Sequence, residues 1–149
     1  MKRLIITPKS KGNTYDVASY MAQKSGAQLL VTGSGQMEDL TRYDELVLCS
    51  GVYAGKAHAG LIKWLNQLSK DQLSTQARFR ILVTWFGRSN SNETAEKEIM
   101  KALAQKGLTY DKNCKDCLGG KGFIRSGHPN QADLDQVMTW LTGSETAGK

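Results

Sequence analysis

The sequence predicts an α/β fold of the doubly wound kind, a three-layer sandwich in which a five-stranded parallel sheet of order 2-1-3-4-5 lies between helices. Three observations predict it. Short aliphatic or β-branched runs alternate along the chain with longer segments of helical spacing, the signature of βαβ units. The loops that follow the first, third and fourth of those runs are rich in Gly, Ser and Asn, residues that turn the chain and let backbone approach a ligand. A length of 149 residues with 40% apolar side chains suits one domain with a sizeable core, and no internal repeat or linker divides it.

The elements follow in order. Leu4 to Thr7 reads as the first strand, stopped at Pro8, and Tyr15 to Ser25 as a helix in which Val17 and Met21 recur at helical spacing. Gly26 supplies its C-terminal stop. A second strand covers Gln28 to Thr32, and Gly33-Ser34-Gly35 reads as the loop after it. The third strand is Glu45 to Ser50. Leu61, Ile62, Leu65 and Leu68 mark the next helix, and Ile81, Leu82 and Val83 build a fourth strand from Arg80 to Trp85. A helix from about Glu93 to Lys106 ends at Gly107, and a fifth strand region, interrupted near Asn113, lies between Leu108 and Leu118. The last helix begins near Asn130, where Pro129-Asn130-Gln131-Ala132-Asp133 offers a capping side chain and a first-turn carboxylate. The domain is read as residues 1–143, with 144–149 as a polar tail that frays.

Composition excludes several function classes. The start Met-Lys-Arg-Leu-Ile-Ile-Thr-Pro lacks the apolar core of about 7–15 residues that a signal peptide needs, and no apolar run is long enough to span a bilayer. A cytoplasmic location is expected. Three cysteines are too few for a disulfide framework, and an odd number fits a reducing compartment. Cys114 and Cys117 have the spacing of a zinc or dithiol pair, yet a structural zinc wants four ligands and no second pair exists. In an extended strand their separation would be about 10 Å, beyond the roughly 7 Å that a disulfide tolerates. The balance of 20 basic to 14 acidic residues gives a charge of +6, which favours acidic surfaces but falls short of the dense basic stripe of a nucleic-acid binder. Thr7-Pro8 and Ser50-Gly51 stand where response-regulator receivers carry their acidic residues, and the first loop lacks the cysteine of a low-molecular-weight tyrosine phosphatase.

In a sheet of this order ligands bind outside the carboxyl ends of the strands, so the loops after strands one, three and four hold the candidate site. Pro8-Lys9-Ser10-Lys11-Gly12-Asn13-Thr14 leads straight into a helix whose first amides are free and whose dipole is positive there. A phosphate suits it. Gly12 admits it closely, Ser10, Asn13 and Thr14 offer donors, and Lys9 and Lys11 add charge; the alternative is an ordinary solvated turn. In Gly51-Val52-Tyr53-Ala54-Gly55-Lys56-Ala57-His58-Ala59-Gly60, small residues surround one aromatic, as a flat heteroaromatic ring requires. Tyr53 is the stacking candidate, a contact worth about 0.5–1.5 kcal/mol beyond area burial, with capping of a helix end as the alternative. His58 either lies near the ring's edge or serves the helix start. Thr84-Trp85-Phe86-Gly87-Arg88-Ser89-Asn90-Ser91-Asn92 is a polar loop able to contact a ligand through its backbone, and Gly87 permits the approach. Trp85 and Phe86 face the ligand or bury against the sheet, the second being preferred for Phe86.

Ser10-Lys11-Gly12-Asn13-Thr14 resembles the phosphate-binding loop of flavodoxins, where a hydroxyl-rich turn ending in Gly-Asn-Thr wraps the phosphate of flavin mononucleotide (FMN). The stretch from Asp44 through Gly55 resembles that family's buried strand and flavin-contacting turn, and Tyr53 with Gly55 and His58 looks like the subgroup that includes flavodoxin-like protoporphyrinogen oxidases. Cys117-Leu118-Gly119-Gly120-Lys121-Gly122-Phe123, then Gly127-His128-Pro129-Asn130 and Asp133-Leu134, resemble the tail of small bacterial flavodoxins. No long insertion splits the fifth strand, so the chain resembles the family's short-chain type.

The resemblance implies a flavodoxin-like fold and one FMN held non-covalently by Ser10, Lys11, Gly12, Asn13 and Thr14, by Gly51, Val52, Tyr53, Ala54 and Gly55, and by Thr84, Trp85, Phe86, Gly87 and Arg88. It implies no catalytic side chain and no metal. Its partners would be a reductase that donates electrons and an enzyme that accepts them, met by a monomer. Lys9 and Lys11 depart from the family's small or hydroxylated residues, and a charge of +6 departs from its usual acidity, which implies a partner with an acidic docking face. The alternative function is a flavin-dependent reductase or oxidase acting on a small molecule such as a quinone or a protoporphyrinogen. A third is an interaction module that kept the fold and lost the cofactor.

Overall fold

A computed structural model describes residues 1–34, 39–120 and 127–143. Gly35, the segment Lys121-Gly122-Phe123 and the tail 144–149, all read above, lie outside the described residues. The strands are β1 (Arg3–Thr7), β2 (Gln28–Val31), β3 (Glu45–Gly51), β4 (Arg78–Trp85) and β5 (Lys115–Leu118), and the helices α1 (Asn13–Ser25), α2 (Ala59–Gln67), α3 (Ser91–Gln105) and α4 (Gln131–Thr142). All neighbouring strands pair in parallel, in the expected order β2-β1-β3-β4-β5.

The sequence of β3, ELVLCSG, is buried at every position, because a central parallel strand has helices over both faces. Alternate residues feed two cores. Leu4, Ile6, Leu46, Leu48, Phe79 and Ile81 pack against Leu61, Trp64 and Leu65 of α2 and Ile99 and Leu103 of α3. Ile5, Val47, Cys49, Leu82 and Cys117 point the other way, against Val17, Ala18 and Met21 of α1 and Val137 and Leu141 of α4.

Boundaries differ from the sequence reading where a cap or a turn decides them. α1 starts at Asn13, two residues before Tyr15, because Gly12 at φ 103° forms its N-cap. Thr32 leaves β2 for a single 3-10 turn, Thr32–Ser34. Leu68 is the extended C-cap of α2, although its side chain stays 1% exposed in the core. The interruption expected near Asn113 is present: Tyr110 bridges Phe79, the chain turns through residues 111–114, and pairing with β4 resumes at Lys115. Asn130 caps α4 in a reciprocal capping box with Asp133.

At the sheet edge opposite the strands' carboxyl ends, Arg80 fastens α4. Its Nη1 and Nη2 donate to the carbonyls of Leu141 and Trp140 at 3.0 and 2.8 Å, groups that a helix C-terminus leaves without partners. The guanidinium also stacks 3.9 Å from the Trp140 ring centroid. Burial disfavours its charge, and Glu45, 3.8 Å away and itself bound to Arg3 at 2.6 Å, offsets that cost. Arg80→Ala is expected to lower stability by about 2–4 kcal/mol, read as a fall in the urea midpoint. Arg80→Lys should recover only part of it, since one ammonium cannot serve two carbonyls and stack as well.

Candidate functional site

The carboxyl ends of β1, β3, β4 and β5 surround a cavity of about 700 Å³, within the usual range of ligand pockets. Its first wall is the loop after β1 and the first turn of α1: Lys9, Lys11, Gly12, Asn13 and Thr14. Gly12 offers no side-chain cap, so the first amides of α1 open onto the cavity without an acceptor from their own cap residue. Lys9 and Lys11 are exposed beside them. Uncapped amides, a positive dipole end and two ammonium groups together form an anion receptor.

Two side chains expected to serve a phosphate are engaged within the protein. The Thr14 hydroxyl meets that of Thr84 at 2.7 Å in a buried contact, and Asn13 Nδ2 donates to the Gly120 carbonyl at 2.6 Å. Ser10 is exposed on the same loop and does not line the cavity.

The second wall, Gly51 to Ala54, is built around Tyr53. Tyr53 and Lys56 exchange backbone hydrogen bonds of 2.8 and 3.0 Å across Ala54 (φ 53°) and Gly55 (φ 80°), the two left-handed residues of a type I′ turn. Gly55 thus shapes the turn without lining the cavity. The Tyr53 ring folds back over Gly51, where a Cβ would lie 3.0 Å from its hydroxyl. It remains 43% exposed, so the largest uncovered ring among the described residues stands at the cavity.

Ser50 and Glu98, which the sequence reading missed, hold this loop. Buried Ser50 accepts from the His58 amide at 2.9 Å and donates to the Gly51 carbonyl at 2.7 Å, and Glu98 accepts from the Ala57 amide at 2.8 Å. Only the long spacing from Glu98 to this loop hid it. His58 has the structural role weighed above: its Nδ1 accepts from the Gly60 amide at 3.0 Å and caps α2. Its ring also meets Tyr53 edge to face at 5.4 Å.

Thr84, Trp85 and Phe86 form the third wall, whereas Gly87 and exposed Arg88 lie beyond it. The fourth is Gly119-Gly120, with the Gly119 amide bonded to the Trp85 carbonyl at 2.8 Å. These two glycines were quoted in the family resemblance but not assigned to the site. All three cysteines are free thiols; burial pushes Cys114 and Cys117 up to about 12 and Cys49 higher still. Among the described residues no group of three His, Cys, Asp or Glu side chains is placed to hold a metal ion.

Fold and cavity define a doubly wound protein with an anion receptor at the topological switch point, where β1 and β3 part. Residues 4–122 match the flavodoxin domain family, and the chain belongs to it. No curated protein matches the chain in sequence. Among solved structures, oxidised flavodoxin 2 from Bacillus cereus aligns over 95% of this chain and 96% of its own at 13% identity, with a TM-score of 0.72. The Trp repressor binding protein from Bacillus subtilis aligns over 94% and 97% at 13% identity (TM-score 0.69). A flavodoxin variant from Fusobacterium nucleatum, solved bound to FMN, aligns over 95% and 93% at 14% identity (TM-score 0.63). At such identities the likeness is one of fold. FMN is the cofactor of this family, and a phosphate-sized anion receptor beside an exposed tyrosine and glycine-lined walls fits it.

The cap on α2 carries a pH signature. Burial, and then Lys9, hold the His58 pKa below its ordinary 6.5. The folded chain therefore binds fewer protons than the unfolded one, and the stability due to the neutral cap is complete above about 6.5 and falls as pH drops through the folded value. Chemical denaturation between pH 8 and 5 is expected to show this decline in the wild type and less of it in His58→Asn, which can cap without titrating. His58→Ala should cost about 1 kcal/mol at pH 8.

Proposed function

We propose that this chain holds one FMN non-covalently in the 700 Å³ cavity and passes electrons between partner proteins, as a cytoplasmic monomer. The observation that carries the reading is the uncapped start of α1, facing the cavity between Lys9 and Lys11. The amides around Gly12 and the two ammonium groups take the phosphate. Tyr53, already turned over the cavity's second wall, covers one face of the ring system, and Trp85 and Phe86 stand on the wall of β4. The backbone from Thr84 to Phe86 meets the polar edge of the ring. When bound, the flavin supplies the electron-transfer chemistry; the protein binds it, orients it and excludes water from it. The described residues include no helix long and apolar enough to cross a membrane.

Calorimetry of the apo protein with FMN is expected to show one site and to yield a yellow protein; absence of both heat and colour would end this reading. Tyr53→Ala should weaken FMN binding by about 2- to 12-fold, the equivalent of one aromatic contact. Turnover of NAD(P)H with a quinone by the loaded protein alone would replace the carrier function with that of a reductase.

The mouth of the cavity also bears on the partner. Lys9, Lys11, Lys56 and Arg88 are exposed on the loops after β1, β3 and β4, and residues 8–12, 52–58 and 86–90 contain no acidic residue. Exposed Asp16 and Glu93 are the nearest counter-charges in sequence, one in the first turn of α1 and the other in that of α3, and the Glu98 carboxylate reaches the loop after β3 at the Ala57 amide. This rim favours a partner with an acidic docking face. Oxidation of the reduced holoprotein by ferricyanide, a trianion, should slow as salt rises, and oxidation by hexaammineruthenium(III), a trication, should accelerate. Lys56→Glu with Arg88→Glu should diminish or invert both trends. Equal salt responses to the two oxidants would remove the acidic partner while leaving the FMN site standing.

A further inference from the structure

Asn13 occupies an unusual position at the junction of two cavity walls. Its Nδ2 donates to the Gly120 carbonyl at 2.6 Å, joining residues 107 apart in sequence. The amide lies close against the neighbouring glycine: a Cβ built on Gly119 would sit 2.8 Å from Asn13 Nδ2 and 3.0 Å from its Cγ. Gly119 is held from the other side as well, by its amide bond to the Trp85 carbonyl at the end of β4. The turn after β5 is thereby pinned between the start of α1 and the end of β4, with both glycines on the cavity surface. Were Asn13 to swing toward an anion at the helix start, the Gly120 carbonyl would lose this partner.

The geometry points to Asn13 as a positioning residue that shapes the wall at Gly119-Gly120, rather than as a donor to the phosphate. The proposal rests on the FMN reading and assigns the residue to the ring end of the cofactor. Phosphate binding then belongs to the backbone amides and to Lys9 and Lys11. Gly119 has a complementary requirement, since any side chain there displaces the Asn13 amide.

Riboflavin, which carries the same ring system without the phosphate, separates the two roles. Affinities for FMN and riboflavin are measured by flavin fluorescence quenching for wild type, Asn13→Ala, Gly119→Ala, the double variant and Lys11→Ala. A strut predicts that Asn13→Ala weakens both ligands by a similar factor, about 3- to 10-fold for one lost hydrogen bond, and leaves their affinity ratio unchanged. Gly119→Ala should reproduce this, and the double variant should be little worse than either. Lys11→Ala should weaken FMN alone. Hydrogen exchange of the peptide spanning Gly119 and Gly120 should quicken in Asn13→Ala with FMN bound, a change that loss of a phosphate donor does not produce.

A fall in FMN affinity with riboflavin binding and exchange both unaltered would return Asn13 to the phosphate and overturn the proposal. So would full affinity for both flavins. Should Asn13→Ala fail to fold, as judged by circular dichroism, Gly119→Ala gives the same reading from the other partner. Wild-type protein that binds neither flavin would instead sink the FMN assignment itself.

Discussion

A parallel sheet sends every strand's carboxyl end to the same edge, and the remainder of this molecule follows from that constraint. Three of the connections return across the sheet through α1, α2 and α3, and α4 follows β5, so β3 is buried on both faces and two separate cores form. The chain winds outward from β1 to β2, then passes back across β1 to β3 and on to β4 and β5. The loops after β1 and β3 therefore diverge, and the cavity opens between them. Its two sides are the uncapped start of α1 and the Tyr53 turn.

Much of this was legible in the sequence because it depends on local patterns. The order and number of strands follow from alternating runs, and Gly26 and Gly107 end helices at φ 74° and 69° as a left-handed stop requires. The contents of three cavity walls follow from the glycine and hydroxyl composition of loops at strand ends. What was not legible depends on partners distant in the chain. The bond from Asn13 to Gly120 and the contact of Thr14 with Thr84 join segments that no loop composition connects. Glu98 looks like one more helix carboxylate, and Arg80 like one more strand residue, although each fixes the end of another segment. Side-chain commitment across 41 to 107 residues leaves no periodic trace.

Charge at the cavity mouth is arranged for an anion at some cost to the protein alone. Lys9 sits 5.4 Å over the Tyr53 ring and helps hold His58 neutral, and among the described residues Lys9 and Lys11 form no ion pair. Mutual repulsion of exposed ammonium groups is small in water, of order 1 kcal/mol at contact distances and less with salt. A dianion placed between them reverses the sign of each of those terms. Exposed Lys56 and Arg88 extend the positive charge outward onto the loops after β3 and β4.

Stability and function occupy opposite edges of the sheet for a related reason. At the amino ends of the strands, Arg3, Glu45 and Arg80 form a largely buried network that satisfies carbonyls in the last turn of α4, and α4 closes the core beneath α1. At the carboxyl ends the comparable groups, the first amides of α1, are left without a side-chain cap, and an aromatic ring is left 43% exposed. A helix cap is worth about 1 kcal/mol, and burying a tyrosine somewhat more. A protein that tied both edges equally well would fill its own crevice. The network at Arg80 holds α4, and through it the α1 side of the sheet, while the start of α1 keeps its amides free for a ligand.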